Sequence, residues 1–152
     1  MIEFRTMDTP AQSDFEKQQL SAVVVVLFNR NGEVFLKKKK NPNEHGVREV
    51  SMISGSGPLK VRPDKPDHAA IREINHSIGL VNLELWRGFV DEESKVGVYI
   101  GIMDNPDEAL DMEHGKSVDR MWVDANEAAN MELAFGQEKY LEQAIRLISE
   151  QD

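Results

Sequence analysis

The pattern of apolar positions predicts a series of strands, with one helix between them and another at the end of the chain. The run from Ala22 to Phe28 is continuously apolar, which is typical of a strand buried on both faces. It is too short to cross a bilayer, which takes ~20 residues. The turn-forming sequence NRNG at residues 29–32 predicts a hairpin into the next strand, EVFLKKK.

Further strands are predicted after this hairpin. VREVSMIS at residues 47–54 alternates apolar and polar positions, and a strand pair is expected at residues 81–90 and 95–104. A short strand is expected at residues 119–125. The glycine- and proline-rich stretch at residues 55–67 is longer than most connections, which suggests a functional loop.

The predicted helix between the strands has recognisable ends. Pro66 suits a first helical position, and Asp67 brings a negative charge to the positive end of the helix dipole. Gly79 suits the residue that ends a helix. A second helix is expected at residues 136–151, where apolar residues recur at helical spacing.

The first helix has two different faces. Its apolar stripe consists of Ile71, Ile74 and Ile78. Glu73, His76 and Ser77 are spaced i, i+3, i+4, and they lie on a face rotated roughly 130° from that stripe. The sequence therefore predicts a helix that buries one side and presents Glu73, His76 and Ser77 to a cleft.

Composition narrows the functional class. A chain of 152 residues suits one domain, with a polar lead-in at residues 1–18 and the domain at residues 19–152. The formal net charge of −9 argues against nucleic acid as a partner, because phosphate binding needs a basic face. The chain has no cysteine and no signal-peptide pattern, and no membrane partner is indicated. A cytoplasmic location is expected.

The helix sequence REINHSIGL, from Arg72 to Leu80, resembles the box of the Nudix family. That box reads Gly, five residues, Glu, seven residues, then Arg-Glu-apolar-any-Glu-Glu-any-Gly-apolar. Arg72, Glu73, Ile74, Gly79 and Leu80 stand in register with it. DRMWVDANEA at residues 119–128 is also similar to a late segment of many Nudix proteins. The resemblance implies a mixed α/β fold, a Nudix-type α/β/α sandwich with a mixed β-sheet.

The resemblance implies hydrolysis of a nucleoside diphosphate linked to another group, by attack of a metal-activated water on phosphorus. Mg²⁺ or Mn²⁺ would be held by glutamates at i, i+3 and i+4, and only Glu73 remains of the three. Glu73 is therefore the expected metal ligand and catalytic residue. Asp64 occupies the first glutamate position of the box, and it joins His76 as a further metal candidate. Metal binding is expected to be weak, if it occurs.

The remaining box residues and their neighbours have expected roles as well. Arg72 would orient a neighbouring glutamate, and Gly79 belongs to the structural part of the box. Three basic residues would border the diphosphate: Lys60, Arg62 and Lys65. The lysine run at residues 37–40 either steers an anionic substrate or marks an exposed strand end.

Three functions remain open from the sequence. The first is weak Nudix-type hydrolysis, reduced by the loss of two glutamates. The second is a catalytically inactive Nudix-fold module that binds a nucleotide-like ligand or a protein partner. The third is different chemistry with His76 as general base, because histidine titrates near neutral pH. A small-molecule nucleoside diphosphate derivative is the expected partner, and the resemblance also allows a homodimer.

Overall fold

The structure is a computed structural model that describes residues 2–5, 20–55, 66–79, 82–110 and 118–150. These residues form strands, α-helices and two short 3₁₀ helices, at Pro106–Ala109 and Ala134–Gly136. The strands are β1 (Ile2–Arg5), β2 (Ala22–Asn29), β3 (Glu33–Lys39), β4 (Val50–Ser51), β5 (Ile53–Gly55), β6 (Leu83–Asp91), β7 (Val96–Met103) and β8 (Val118–Asp124). The α-helices are α1 (Pro66–Ile78), α2 (Ala125–Ala129) and α3 (Glu138–Glu150).

All the strands belong to one mixed eight-stranded sheet. Its main path runs β1-β6-β7-β2-β3-β4, while β5 pairs with β2 and β8 pairs with β3. β2 lies parallel to β7 over its whole length, and β1 lies parallel to β6. The other pairs are antiparallel. β1 lies within the predicted lead-in, so four of those residues join the sheet.

The sheet lies between two helical layers, which confirms the predicted α/β/α sandwich. Val23, Val25 and Leu27 of β2 belong to the core cluster that contains α1 residues. Val24 and Val26 belong to the opposite cluster, which contains residues of α2 and α3. Successive side chains of a strand point to opposite faces, so β2 is buried on both sides, as its apolar run predicts.

The strand predicted at residues 47–54 is shorter and broken in the structure. Only β4 and β5 are regular, and Met52 interrupts them. The Met52 amide donates a hydrogen bond to the Gln137 side-chain oxygen at 2.8 Å. Residues 47–49 of the predicted strand are irregular and mostly exposed, and at Met52 a side chain from a distant turn replaces part of the strand pairing.

Helix α1 has the predicted ends. It begins at Pro66 and ends at Ile78, and Gly79 follows with φ +81°, a conformation that glycine adopts without steric cost. The Gly79 amide donates to the Asn75 carbonyl at 2.9 Å. Ile74 and Ile78 are buried as predicted, whereas Ile71 is only partly buried.

Candidate functional site

Glu73 projects from α1 onto the backbone of β5. A Cβ atom placed on Gly55 would lie 2.4 Å from the Glu73 Cδ, so a larger residue there would require the Glu73 side chain to shift. Arg72 Nη2 lies 3.2 Å from the Glu73 Oε1, and the Glu73 side chain is 18% exposed. This contact fits the orienting role expected of Arg72. The carboxylate is therefore held between a neighbouring guanidinium and the end of β5.

Ser77, one turn further along α1, faces the sheet rather than a cleft. Its residue exposure is 4%, and its hydroxyl accepts a hydrogen bond from the Lys37 Nζ of β3 at 3.1 Å. Burial lowers the pKa of Lys37, the Glu73 carboxylate raises it, and Arg120 lowers it. The position where the Nudix box has a glutamate thus holds a serine that contacts a lysine ammonium.

Arg120 brings a second cation to the same end of the helix. It lies directly opposite Lys37 in the β3–β8 register, and its Nε donates to the Ser77 carbonyl at 2.8 Å. Cations are favoured at the C-terminal end of a helix, where backbone carbonyls carry partial negative charge. Arg120 therefore caps α1, while Lys37 contacts a side chain on the face that carries Glu73.

The roles of the other residues proposed as metal ligands stay predictions. His76 is exposed. Asp64 lies outside the described residues, as do Lys60, Arg62 and Lys65. No group of three or more His, Asp or Glu side chains that could hold a metal ion occurs in the part of the chain that the structure describes.

These residues do not fit a divalent cation held by clustered carboxylates. A hard cation such as Mg²⁺ prefers several anionic oxygens. Here Glu73 is the single carboxylate of the helix face, it is paired with Arg72, and the Lys37 ammonium interacts with it electrostatically. The Lys37 ammonium therefore contacts position 77, where the Nudix box would have a glutamate.

The start of α1 is fixed by a polar network that the sequence did not indicate. Arg87 of β6 forms a bidentate salt bridge with the Asp67 carboxylate, with distances of 3.0 Å from Nε and 2.6 Å from Nη2. The Tyr99 hydroxyl donates to the same carboxylate. Burial raises the pKa of Tyr99, and Asp67 raises it further. The network ties α1 to two strands and so fixes the direction of the Glu73 face.

A largely apolar cavity of about 240 Å³ opens on the α3 side of the sheet, across the sheet from α1. Its lining consists of Ala22, Val23, Val24, Ser54, Gly55, Val96, Phe135, Gln137 and Tyr140. Gly55 is thus shared between the cavity wall and the contact with Glu73. The cavity and the Glu73 face thus lie on opposite sides of β5, and no sequence pattern indicated the cavity.

Phe135 is the most unusual residue of this lining. Its exposure is 89%, and its φ of +58° is a left-handed conformation that bulky residues rarely adopt. Gln137 is buried beside it and donates from Nε2 to the Ser54 hydroxyl at 3.3 Å. An aromatic residue followed directly by glycine before α3 was the available sequence signal for this wall.

The lysines of the run at residues 37–40 make different contacts. Lys37 points to α1, whereas Lys39 pairs with Glu49 and Lys40 lies 3.7 Å from Asp119. The last two pairs are exposed, as the strand-end interpretation of the run expects. Only Lys37 contacts the face of α1.

Solved structures of Nudix proteins have a fold similar to that of this chain. The Nudix domain of NrtR from Shewanella oneidensis, complexed with ADP ribose, superposes with a TM-score of 0.62 and 19% identity over 87% of this chain and 90% of that chain. A mutT/nudix family protein from Listeria innocua gives a TM-score of 0.60 with 16% identity, over 88% of this chain and 98% of that chain. This chain has the Nudix fold. The resemblance stated from the helix sequence is therefore confirmed at the level of fold.

One structure similar to this chain was solved with bound nucleic acid. NrtR from Shewanella oneidensis was also solved with a 27mer DNA, and that match has a TM-score of 0.59 and 16% identity, covering 88% of this chain and 64% of that chain. The exclusion of nucleic acid, predicted from net charge, gains no support from this comparison and stays a prediction. No family model and no curated protein matches the sequence.

Two further partner predictions concern membranes and self-association. Within the described ranges, no helix has the length and apolar character needed to cross a membrane. The homodimer that the resemblance allows stays a prediction.

Proposed function

We propose that this Nudix-fold protein binds a nucleoside diphosphate derivative and hydrolyses it weakly or not at all. The observation that carries the proposal is the apolar cavity on the α3 side of the sheet, whose lining includes the exposed ring of Phe135. The complex of the similar NrtR domain with ADP ribose supports this class of ligand.

The cavity suits a nucleobase. Its lining is mostly aliphatic, and the exposed Phe135 ring offers a surface on which a base can stack. Ser54 adds a hydroxyl to the wall, which can hydrogen-bond to a base edge, whereas the buried Gln137 amide already bonds Met52 and Ser54. Such a site, apolar with a few polar groups, is typical of small-molecule binding.

Weak or absent hydrolysis follows from the charges on α1. Activation of a water by Mg²⁺ or Mn²⁺ needs a cation held firmly by oxygen ligands. Glu73 alone supplies such oxygens from the helix face in the described structure, and it faces Arg72 and Lys37 rather than other acids. Binding without efficient turnover is the function that these contacts support.

Metal-dependent hydrolysis is the second candidate, and one observation favours it. Glu73 keeps a defined position against Gly55 and beside Arg72. Mg²⁺ can be bound through one or two carboxylates together with substrate phosphates. In this case Asp64 and His76 would assist Glu73, and Lys60, Arg62 and Lys65 would bind the diphosphate.

The experiment that separates the two candidates measures binding and turnover on the same compounds. ADP-ribose, ADP and a diadenosine polyphosphate are titrated by calorimetry, and each is then incubated with Mg²⁺, Mn²⁺ or EDTA and analysed by chromatography for the nucleotide products of hydrolysis. We expect saturable binding with no metal-dependent hydrolysis. Turnover that requires Mg²⁺ or Mn²⁺ and disappears in E73Q would establish the hydrolase. Absence of binding for every compound would overturn the proposal.

A further inference from the structure

Gln137, directly before α3, has a fixed side-chain orientation. It is 2% exposed, and its side chain reaches the break between β4 and β5. There the Met52 amide lies 2.8 Å from the Gln137 Oε1. Because a backbone N–H can only donate, the oxygen of the Gln137 side chain must face Met52, and its Nε2 must face the other way.

This orientation decides how the Ser54 hydroxyl is used. The Gln137 Nε2 lies 3.3 Å from the Ser54 Oγ, and an amide nitrogen donates but does not accept. The hydroxyl is therefore the acceptor in this contact, and it keeps its own proton for another partner. A hydroxyl that accepts a hydrogen bond is also a stronger donor, because linked hydrogen bonds polarise one another.

The Ser54 side chain points into the cavity. Ser54 lies opposite Val24 in the β2–β5 pair, and Val24 belongs to the core cluster on the α3 side of the sheet. Directly opposite residues of paired strands share a face, and both of these residues line the cavity. Most of the remaining lining is apolar. A ligand atom that covers the hydroxyl must therefore accept its proton, because a buried donor left unpaired lowers affinity.

We propose that the Ser54 hydroxyl donates a hydrogen bond to an acceptor atom of the ligand's base, and that Gln137 is the positioning residue that directs this proton into the cavity. The acceptor is a ring nitrogen or a carbonyl oxygen. The site thus selects a base by an acceptor on its edge rather than by an amino group. This inference rests on the proposed function, because it names the part of the base that the cavity recognises.

The test compares ADP with four analogues by calorimetry on the full chain. Three are deaza analogues, each with a C–H in place of one ring nitrogen of the base, and the fourth is inosine diphosphate, which has a carbonyl in place of the amino group. We expect either one deaza analogue to bind wild type about three- to tenfold more weakly than ADP, or inosine diphosphate to bind more tightly by the same factor, the value of one hydrogen bond.

S54A identifies the hydrogen bond as that of Ser54. The affinity ratio between the same two ligands should fall below about twofold in S54A, because the partner of the altered atom is already absent. S54T keeps the hydroxyl and should keep the wild-type ratio. A purely structural role of Ser54 would change the affinity for every ligand by the same factor and would leave these ratios unchanged.

Q137E tests the direction of the proton. A carboxylate at position 137 can still accept from the Met52 amide, but it also accepts from the Ser54 hydroxyl, which turns the proton away from the cavity. Q137E should therefore lose the ligand ratio as S54A does, although Ser54 is intact. Because burial of a carboxylate lowers stability, Q137E is titrated below its own melting temperature.

Three outcomes separate the levels of the proposal. Ligand ratios that are equal in wild type and S54A would overturn the inference and leave the proposed function standing. A wild-type ratio in folded Q137E would overturn the positioning role of Gln137. Absence of wild-type binding for every compound would overturn both the inference and the proposed function.

Discussion

The carboxylate of Glu73 lies against the backbone of Gly55, so close that a methyl group on residue 55 would stand 2.4 Å from its Cδ. This contact joins helix α1 to the end of β5 and to the cavity wall. The Glu73 side chain is 18% exposed and also contacts Arg72, so its carboxylate lies between α1 and β5.

The first prediction concerns this contact. G55A should displace the flexible end of the Glu73 side chain and lower the free energy of unfolding by about 1 kcal/mol, the low end of the cost of overpacking. ADP-ribose affinity should change little, because the added methyl group points to Glu73 and not into the cavity. Chemical denaturation and calorimetry measure the two effects.

A double-mutant cycle provides the control. E73A removes the atoms that clash with a Cβ at position 55, so G55A should cost much less in the E73A background. If the costs of the two single changes simply add, the contact does not determine the position of Glu73.

The second prediction concerns the missing acids of the helix box. H76E/S77E restores the i, i+3, i+4 pattern of glutamates, but Ser77 is buried against Lys37. The ammonium should pair with the new carboxylate at position 77, so Mg²⁺ should not raise the melting temperature of this double variant. Adding K37M removes the cation, and Mg²⁺ should then stabilise the triple variant, because a ligand that binds only the folded state stabilises it.

Thermal melts with and without Mg²⁺ check this result, with K37M alone as the control. An equal Mg²⁺ response in the double and triple variants would show that Lys37 does not oppose a metal at this place.

The third prediction concerns the left-handed backbone of Phe135. Because a side chain in this conformation costs roughly 1–2 kcal/mol, F135G should raise the free energy of unfolding by about 1 kcal/mol. The same change removes the exposed ring from the cavity, so ADP-ribose affinity should fall. Urea denaturation and calorimetry give the two values.

F135A is the matched control, since it removes the ring but keeps the Cβ. It should lose affinity as F135G does and gain less stability. Unchanged affinity in both variants would exclude Phe135 from ligand binding.

The fourth prediction concerns how the free energy of unfolding changes at low pH. The Tyr140 hydroxyl donates to the Asp91 carboxylate at 2.6 Å, and this bond is the main reason that the pKa of Asp91 lies below its ordinary value of 3.8. A carboxyl group with a lowered folded pKa stabilises the fold above its unfolded pKa, and this contribution is lost as the pH falls through the folded pKa. Y140F should therefore cost about 1–2 kcal/mol at pH 7, and the cost should shrink below about pH 4.

Denaturation of wild type and Y140F between pH 2.5 and 7 measures this difference. K139M is the comparison, because its ion pair with Asp91 is more exposed and should contribute less and depend on salt. A Y140F cost that stays constant down to pH 2.5 would contradict the role of Asp91.

The sequence alone determined the elements whose pattern is local. The continuous apolar run of β2, the turn that leads into β3, and both ends of α1 follow from side-chain alternation, turn residues and capping preferences between near neighbours. The same local information identified the helix box, the loss of two of its acids, and hence the fold that the solved structures confirm.

Tertiary structure alone decided the contacts between segments distant in the chain. The cavity needs β2, β5, β7 and the turn before α3 together, and no pattern within one segment indicates their meeting. Likewise, Lys37 and Ser77 are 40 residues apart, and helical spacing placed Ser77 beside Glu73 without showing which strand side chain it would contact. Local preferences act through a few bonds, whereas the charge facing Glu73 depends on how the sheet and the helix pack.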